Sequence, residues 1–145
     1  NLVSKMQAAE HVRGYQTHFE EHGFTYFAAE EIESGEFIGF VGMKHQTYES
    51  PFTPCVDIGW RLKQSLWGRG YATEAAKACL EFAFTSLELD RVLSVCANTN
   101  AGSEAVMKKI GMEKIGSFSH PAMPAESPLN HCLVYQIERQ AKGWD

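Results

Sequence analysis

Val56-Asp57-Ile58-Gly59-Trp60-Arg61-Leu62-Lys63-Gln64-Ser65-Leu66-Trp67-Gly68-Arg69-Gly70-Tyr71-Ala72-Thr73-Glu74-Ala75 reads as a β-strand, a short glycine-bearing loop and the first turn of a helix. A helix N-terminus exposes free N–H groups and a partial positive charge, so it attracts phosphate. Gly68 and Gly70 let the backbone come close to a bulky anion. The segment therefore points to a phosphate-bearing, nucleotide-like ligand. The glycines alone equally suit a plain strand-to-helix turn, and by themselves they favour it. A dinucleotide fingerprint requires glycine at position 73, which is Thr73, and the Gly-Lys-Ser/Thr ending of a P-loop is absent.

Working outward, the helix that starts at Tyr71 extends to about Leu87. Ala72, Ala75, Ala76, Cys79, Leu80, Ala83 and Leu87 form one apolar stripe, whose small residues predict close packing on a sheet. Arg91 to Ala97 is dense in Val, Leu and Cys and suits a buried central strand. A polar loop, Asn98 to Gly102, precedes a short helix that ends at Gly111. Glu113 to Phe118 and Cys132 to Ile137 are further strands, separated by a long loop holding Pro121, Pro124 and Pro128. Loops of that length are often functional. Upstream, Ser4 to His22 has helical spacing through Met6, Ala9, Val12, Tyr15 and Phe19, with Gly23 as a stop. Phe24 to Ile32 and Glu36 to Gln46 form a hairpin around Ser34-Gly35. Tight turns make neighbouring strands antiparallel, and a helical crossover permits a parallel pair. The expected fold is a mixed α/β sheet with helices on both faces.

Composition narrows the function. A chain of 145 residues with a 44% hydrophobic content fits one domain around one core. No apolar run spans a bilayer and the start is unlike a signal peptide, so the expected setting is cytoplasmic, away from membranes. A net charge of -5 argues against a general nucleic-acid binder. Cys55, Cys79, Cys96 and Cys132 form no Cys-x-x-Cys pair, and reduced core thiols are expected over disulfides or zinc.

A second motif gives the first its meaning. After the central strand comes Asn98-Thr99-Asn100-Ala101-Gly102-Ser103-Glu104-Ala105-Val106-Met107-Lys108-Lys109-Ile110-Gly111-Met112. Ile58-Gly59-Trp60, Trp67 to Ala75, and the step from Asn100-x-x-Ser103 to Lys109-x-Gly111-Met112 resemble the GNAT (Gcn5-related) N-acetyltransferases, in the branch of RimJ and RimL. The resemblance covers about half the chain, in order. The family signature usually opens with Gln or Arg where this chain has Trp67. The family also usually carries a strand and helix before the helix placed at Ser4 to His22. The expectation is a single GNAT domain over residues 1–145, mostly antiparallel with a central parallel pair, and N-terminally short. The first hairpin strand would then be an unpaired edge.

The resemblance implies N-acetyl transfer from acetyl-CoA to a primary amine, by direct attack in a ternary complex. Backbone groups of Trp60, Arg61 and Leu62 would pair with the pantetheine arm like an added strand. The N–H groups of Gly68, Arg69, Gly70, Tyr71, Ala72 and Thr73 would hold the pyrophosphate. Arg69 would add its charge or serve as a solvated loop cation; both readings stand. Asn100 would contact the pantetheine. Ser103 matches the place of an acid near the thiol, although a helix N-cap is its commoner use. His120, then Glu126 or His131, are the candidates for the base that deprotonates the amine. No metal is expected. Partners would be acetyl-CoA and an amine acceptor, with a homodimer reasonable for the family.

Two other readings compete. A GNAT-like module that binds CoA without catalysis is one. A zinc protease through His18-Phe19-Glu20-Glu21-His22, which matches His-x-x-Glu-His, is a remote second. There the motif ends at Gly23, without a third ligand on a later helix. A solvated helix face explains it more simply. Protein N-termini, polyamines, aminoglycosides and small amino compounds all remain open as acceptors; the acidic net charge favours a cationic one.

Overall fold

The computed structural model describes residues 5–139, so Ser4 lies outside the described residues. Helix α1 (Lys5–His22) leads into β1 (Tyr26–Glu30), β2 (Phe37–Gln46) and β3 (Cys55–Leu62). A 3-10 turn (Gln64–Leu66), which the sequence reading had as plain loop, precedes α2 (Tyr71–Thr85). Then follow β4 (Arg91–Ala97), α3 (Ala101–Lys109), β5 (Glu113–Ser119) and β6 (His131–Glu138). The strands form one sheet in the order β1-β2-β3-β4-β6-β5. Every neighbouring pair is antiparallel except β3 and β4, which are parallel. This is the mixed sheet with a central parallel pair that the element order implies, and β1 is one of its outer strands.

Local chemistry sets the elements. The β1–β2 turn closes through Glu31 N–H to Glu36 O (2.9 Å) and Gly35 N–H to Glu31 O (2.8 Å). Gly35 sits at φ 69°, the left-handed region that glycine adopts without steric cost. At Gly42, a Cβ would stand 2.2 Å from Thr25 O, so only glycine lets the chain leading into β1 lie that close to β2. Helix α2 ends at Thr85, two residues before the expected Leu87. Leu87 N–H turns back to Phe82 O and Glu88 takes a left-handed φ of 52°, so the chain leaves the helical path there. Leu87 and Leu89 still pack against the core from beyond the helix.

The sheet separates two apolar clusters. Met43, Ile58, Ala76, Leu80, Phe84, Val92, Met107 and Ile137 belong to the larger one, beneath α2 and α3. Ala76 and Ala83 are fully buried, which lets α2 approach the strands closely. On the opposite face Leu93, Phe118, Cys132 and Val134 pack with Tyr48, Phe52 and Cys55. Strand β4 feeds both clusters through Val92 and Leu93, which explains its near-continuous apolar run. From α1, the Tyr15 ring meets Tyr26 and Phe40 edge-on, at 5.4 Å and 5.7 Å between centroids. All four cysteines are free thiols, and burial pushes Cys55 and Cys96 up to about 11. Among the described residues no helix is long and apolar enough to cross a membrane.

Candidate active site

The parallel pair is short. Its ladder joins Asp57 to Leu93, and Ser94 Oγ donates to Ile58 O at 2.8 Å. Beyond these residues the two strands part. Trp60, Arg61 and Leu62 then line one wall of a cleft of ≈ 540 Å³, and Val95 and Cys96 line the other. Gly68, Gly70, Tyr71, Ala72 and Thr73 close one end, and Asn100, Gly102, Ser103 and Lys109 border it from α3. The fork thus gathers the residues of both sequence motifs, 30 positions apart, around one space.

The glycine loop is shaped by backbone conformation. Gly68 and Gly70 have φ of 80° and 83°, and a Cβ at either position would meet no atom within 4 Å. Their requirement is conformational, with no protein group crowding them. Gly70 is the N-cap of α2 and supplies no side-chain bond. The first helical bond of α2 runs from Glu74 N–H to Gly70 O. The N–H groups of Tyr71, Ala72 and Thr73 thus precede any helical acceptor and stand at the end of the cleft. Trp67, at the family's variable position, donates from Nε1 to Leu62 O at 2.9 Å and ties the loop back to β3. Arg69 is not among the cleft-lining residues. Its charge acts on Tyr71 and Glu31, and Tyr71 Oη donates to Glu31 at 2.5 Å.

One sequence expectation is corrected at α3. Its N-cap is Asn100, whose Oδ1 accepts from Ser103 N–H at 3.0 Å. Ser103 is therefore the third helical residue, and its hydroxyl is not spent on the cap. An Asn at this position caps as well as Ser does, so the motif permitted both registers.

The sequence reading missed Asp57. It is 8% exposed, and its carboxylate accepts from Tyr26 Oη at 2.9 Å and Gln46 Nε2 at 3.3 Å. Burial raises its pKa from 3.8 to about 6, against the opposing pull of those two donors and of Lys44. The signal was a lone carboxylate inside the apolar run Val56-Asp57-Ile58. Asp57 is the residue of β3 that pairs with Leu93 of β4, where the two strands begin to part.

Like Asp57, the candidates His120, Glu126 and His131 are not among the residues that line the cleft. His120 stacks on Tyr48, 4.4 Å between centroids, and its Nδ1 accepts from Ala122 N–H at 3.1 Å. That bond occupies the ring lone pair, and burial lowers the His120 pKa. Glu126 is exposed in the loop between β5 and β6, and His131 is exposed where β6 begins. Asn130 straps this loop by donating to His120 O and Met123 O at 3.1 Å and 3.0 Å. In the His-x-x-Glu-His segment, both His18 nitrogens are bonded to backbone, Nδ1 to Phe24 O and Nε2 to His45 N–H. No lone pair of His18 is left for a metal.

Known proteins share this arrangement. The family model of the acetyltransferase (GNAT) domain matches residues 3–113. The uncharacterized protein YkkB of Bacillus subtilis (strain 168) is 33% identical over 111 residues, which is 77% of this chain and 63% of YkkB. The FsC-acetyl coenzyme A-N(2)-transacetylase of Aspergillus fumigatus is 34% identical over 88 residues, 58% of this chain and 37% of that protein. The chain thus spans less than two thirds of the length of either relative. Among solved structures, the ribosomal-protein-S5-alanine acetyltransferase from Vibrio fischeri shares the fold. Its TM-score is 0.70 at 18% identity, covering 97% of this chain and 72% of that one. A forked parallel pair, two motifs meeting in its cleft and a domain match over most of the sequence lead to one conclusion: the chain belongs to the GNAT acetyltransferase family.

Proposed function

We propose that the chain transfers an acetyl group from acetyl-CoA to a primary amine, in the manner of the RimJ/RimL branch. The observation that carries this reading is the fork between β3 and β4. Its cleft has free helix N–H donors at one end, and the buried carboxylate of Asp57 belongs to the residue through which β3 pairs with β4. The pyrophosphate lies at Tyr71, Ala72 and Thr73, where three N–H groups and the helix dipole favour an anion. Lys109 and Arg61 on the cleft walls add positive charge. The pantetheine arm runs along Trp60 to Leu62, on the β3 edge that β4 leaves open, with Asn100 beside it. A strand-edge N–H polarises the thioester carbonyl as charge develops on its oxygen.

Asp57 takes the role of base for which the sequence reading offered His120, then Glu126 or His131. A pKa of about 6 leaves it ionised at neutral pH yet close enough to accept the ammonium proton. Tyr26 and Gln46 hold its oxygens in place. After Asp57 takes the ammonium proton, the free amine forms the new C–N bond as the C–S bond breaks, and the second proton the nitrogen sheds reaches the departing thiolate by way of the Ser103 hydroxyl or solvent. The relative named as an acetyl coenzyme A transacetylase supports the choice of donor. Turnover of acetyl-CoA tests the proposal, against an N-terminal alanine peptide, an N-terminal serine peptide and spermidine, beside CoA titration by calorimetry. Turnover on at least one amine supports it. CoA binding without turnover on any amine favours a binding module, and absence of CoA binding refutes the whole reading.

A further inference from the structure

His18 makes two bonds that fix its protonation state. Phe24 O, 2.7 Å from Nδ1, can only accept, so Nδ1 carries the proton. His45 N–H, 2.9 Å from Nε2, can only donate, so Nε2 must present a lone pair. The imidazole is therefore the neutral Nδ1–H tautomer. Its Nε2 takes the place of a strand acceptor beside β2, just past the point where β1 begins. This is how the end of α1 is fastened to the sheet.

The fastening reaches the site. Tyr15, on the same helix, packs edge-on against Tyr26, and Tyr26 donates to Asp57. We infer that neutral His18 is a proton-sensitive latch, a positioning residue that holds the Tyr15–Tyr26 ring pair against Asp57 and lets go when the imidazole is protonated. The functional part of this inference rests on the role proposed for Asp57.

Protonation would turn an Nε2–H toward the His45 N–H and break that bond. The surroundings oppose the cation. His22 faces the ring from α1 at 4.4 Å between centroids, and Lys44 and His45 face it from β2. Phe24 offers an edge at 5.2 Å. The nearby carboxylate, Glu21, lies 3.8 Å from His22 Nε2. Burial holds the His18 pKa below its ordinary value; the bond to Phe24 O opposes this, and the charge interactions with His22, Lys44 and His45 add to the lowering. The folded pKa lies below the unfolded one, so the latch's contribution is present above the ordinary histidine range and is lost as pH falls below it.

The test is NMR on the intact chain and two variants. In the wild type, the hydrogen-exchange protection factor of the His45 amide should fall at least about tenfold between pH 7.5 and 5. His18→Gln puts an acceptor oxygen near the Nε2 position and cannot be protonated there, so its His45 protection should stay flat over that range. His18→Ala removes the latch. Its Asp57 carboxyl should titrate at least about half a pH unit higher than in the wild type, because the Tyr26 bond that lowers it loosens. His18→Gln should restore the wild-type midpoint. Flat His45 protection in the wild type, an acid loss in His18→Gln equal to the wild type's, or an unmoved Asp57 midpoint in His18→Ala would each overturn the latch. If His18→Ala does not fold, the comparison of wild type with His18→Gln decides alone. None of these readouts needs turnover, so a failure of the latch and a failure of the proposed activity are separately visible.

Discussion

Replacing Asp57 with Asn should make the protein more stable and much less active. The reasoning starts from burial. The carboxyl is 8% exposed and its pKa rises from 3.8 to about 6 on folding. The folded pKa lies above the unfolded value, so the folded state holds the proton more tightly. The associated stability is fully present below pH 3.8 and is lost as pH rises through about 6. The difference between 6 and 3.8 is about 2.2 units, and at about 1.36 kcal/mol per unit it costs about 3 kcal/mol at neutral pH. Asn resembles the protonated acid in shape and charge, so it escapes that cost. Urea unfolding at pH 7.5, followed by tryptophan fluorescence, should show Asp57→Asn more stable by up to about 3 kcal/mol. The gain should shrink toward zero near pH 4. Acetyl transfer should fall about 10²–10⁴-fold, the usual range for a general base. The wild-type acid limb, with its midpoint near pH 6, should disappear. A variant no more stable than the wild type at pH 7.5 would refute the burial argument. A variant with unchanged turnover would remove Asp57 as the base.

Other outcomes separate the roles of neighbouring residues. Gly70→Val forces a β-branched side chain into a φ of 83° at the start of α2. CoA affinity by calorimetry should drop at least about tenfold, in line with a strain of about 1–2 kcal/mol at the anion site; unchanged affinity would contradict the pyrophosphate placement. Asn100→Ala should cost about 1 kcal/mol in urea unfolding through loss of the α3 cap. Ser103→Ala should leave stability unchanged, and equal costs for the two would contradict the assigned register. Gly42→Ala would drive a Cβ to 2.2 Å from Thr25 O. It should destabilise by about 3 kcal/mol, the upper part of the overpacking range, and a thermally unaffected variant would contradict the close approach of the chain to β2.

The candidate site was legible where a local rule ties residue type to backbone shape. Gly68 and Gly70 marked a loop shaped by glycine, which the structure shows at positive φ, and the stripe from Ala72 to Ala83 announced a helix close against strands. Asn100 and Ser103 could each cap the same helix, so local chemistry left the register of α3 open until the chain was folded. Arg69 stood beside the glycines in sequence, and its interaction with Glu31 became visible only once the chain was folded. His120 looked available in a loop, whereas the turn it belongs to engages its Nδ1.

Taken alone, the sequence determined the element order, the glycine-bearing loop before α2 and the family, because hydrophobic period, glycine placement and capping chemistry act over a few neighbouring residues. The pairing of β3 with β4 was decided only in three dimensions. Their ladder stops after Asp57 and Leu93, residues 36 positions apart, and the gap beyond becomes the cleft. The same is true of Asp57. Its raised pKa comes from the water it loses, against the opposing pull of Tyr26 and Gln46, partners 31 and 11 residues away. Desolvation and long-range pairing are properties of the packed sheet, so no stretch of the chain carries them by itself.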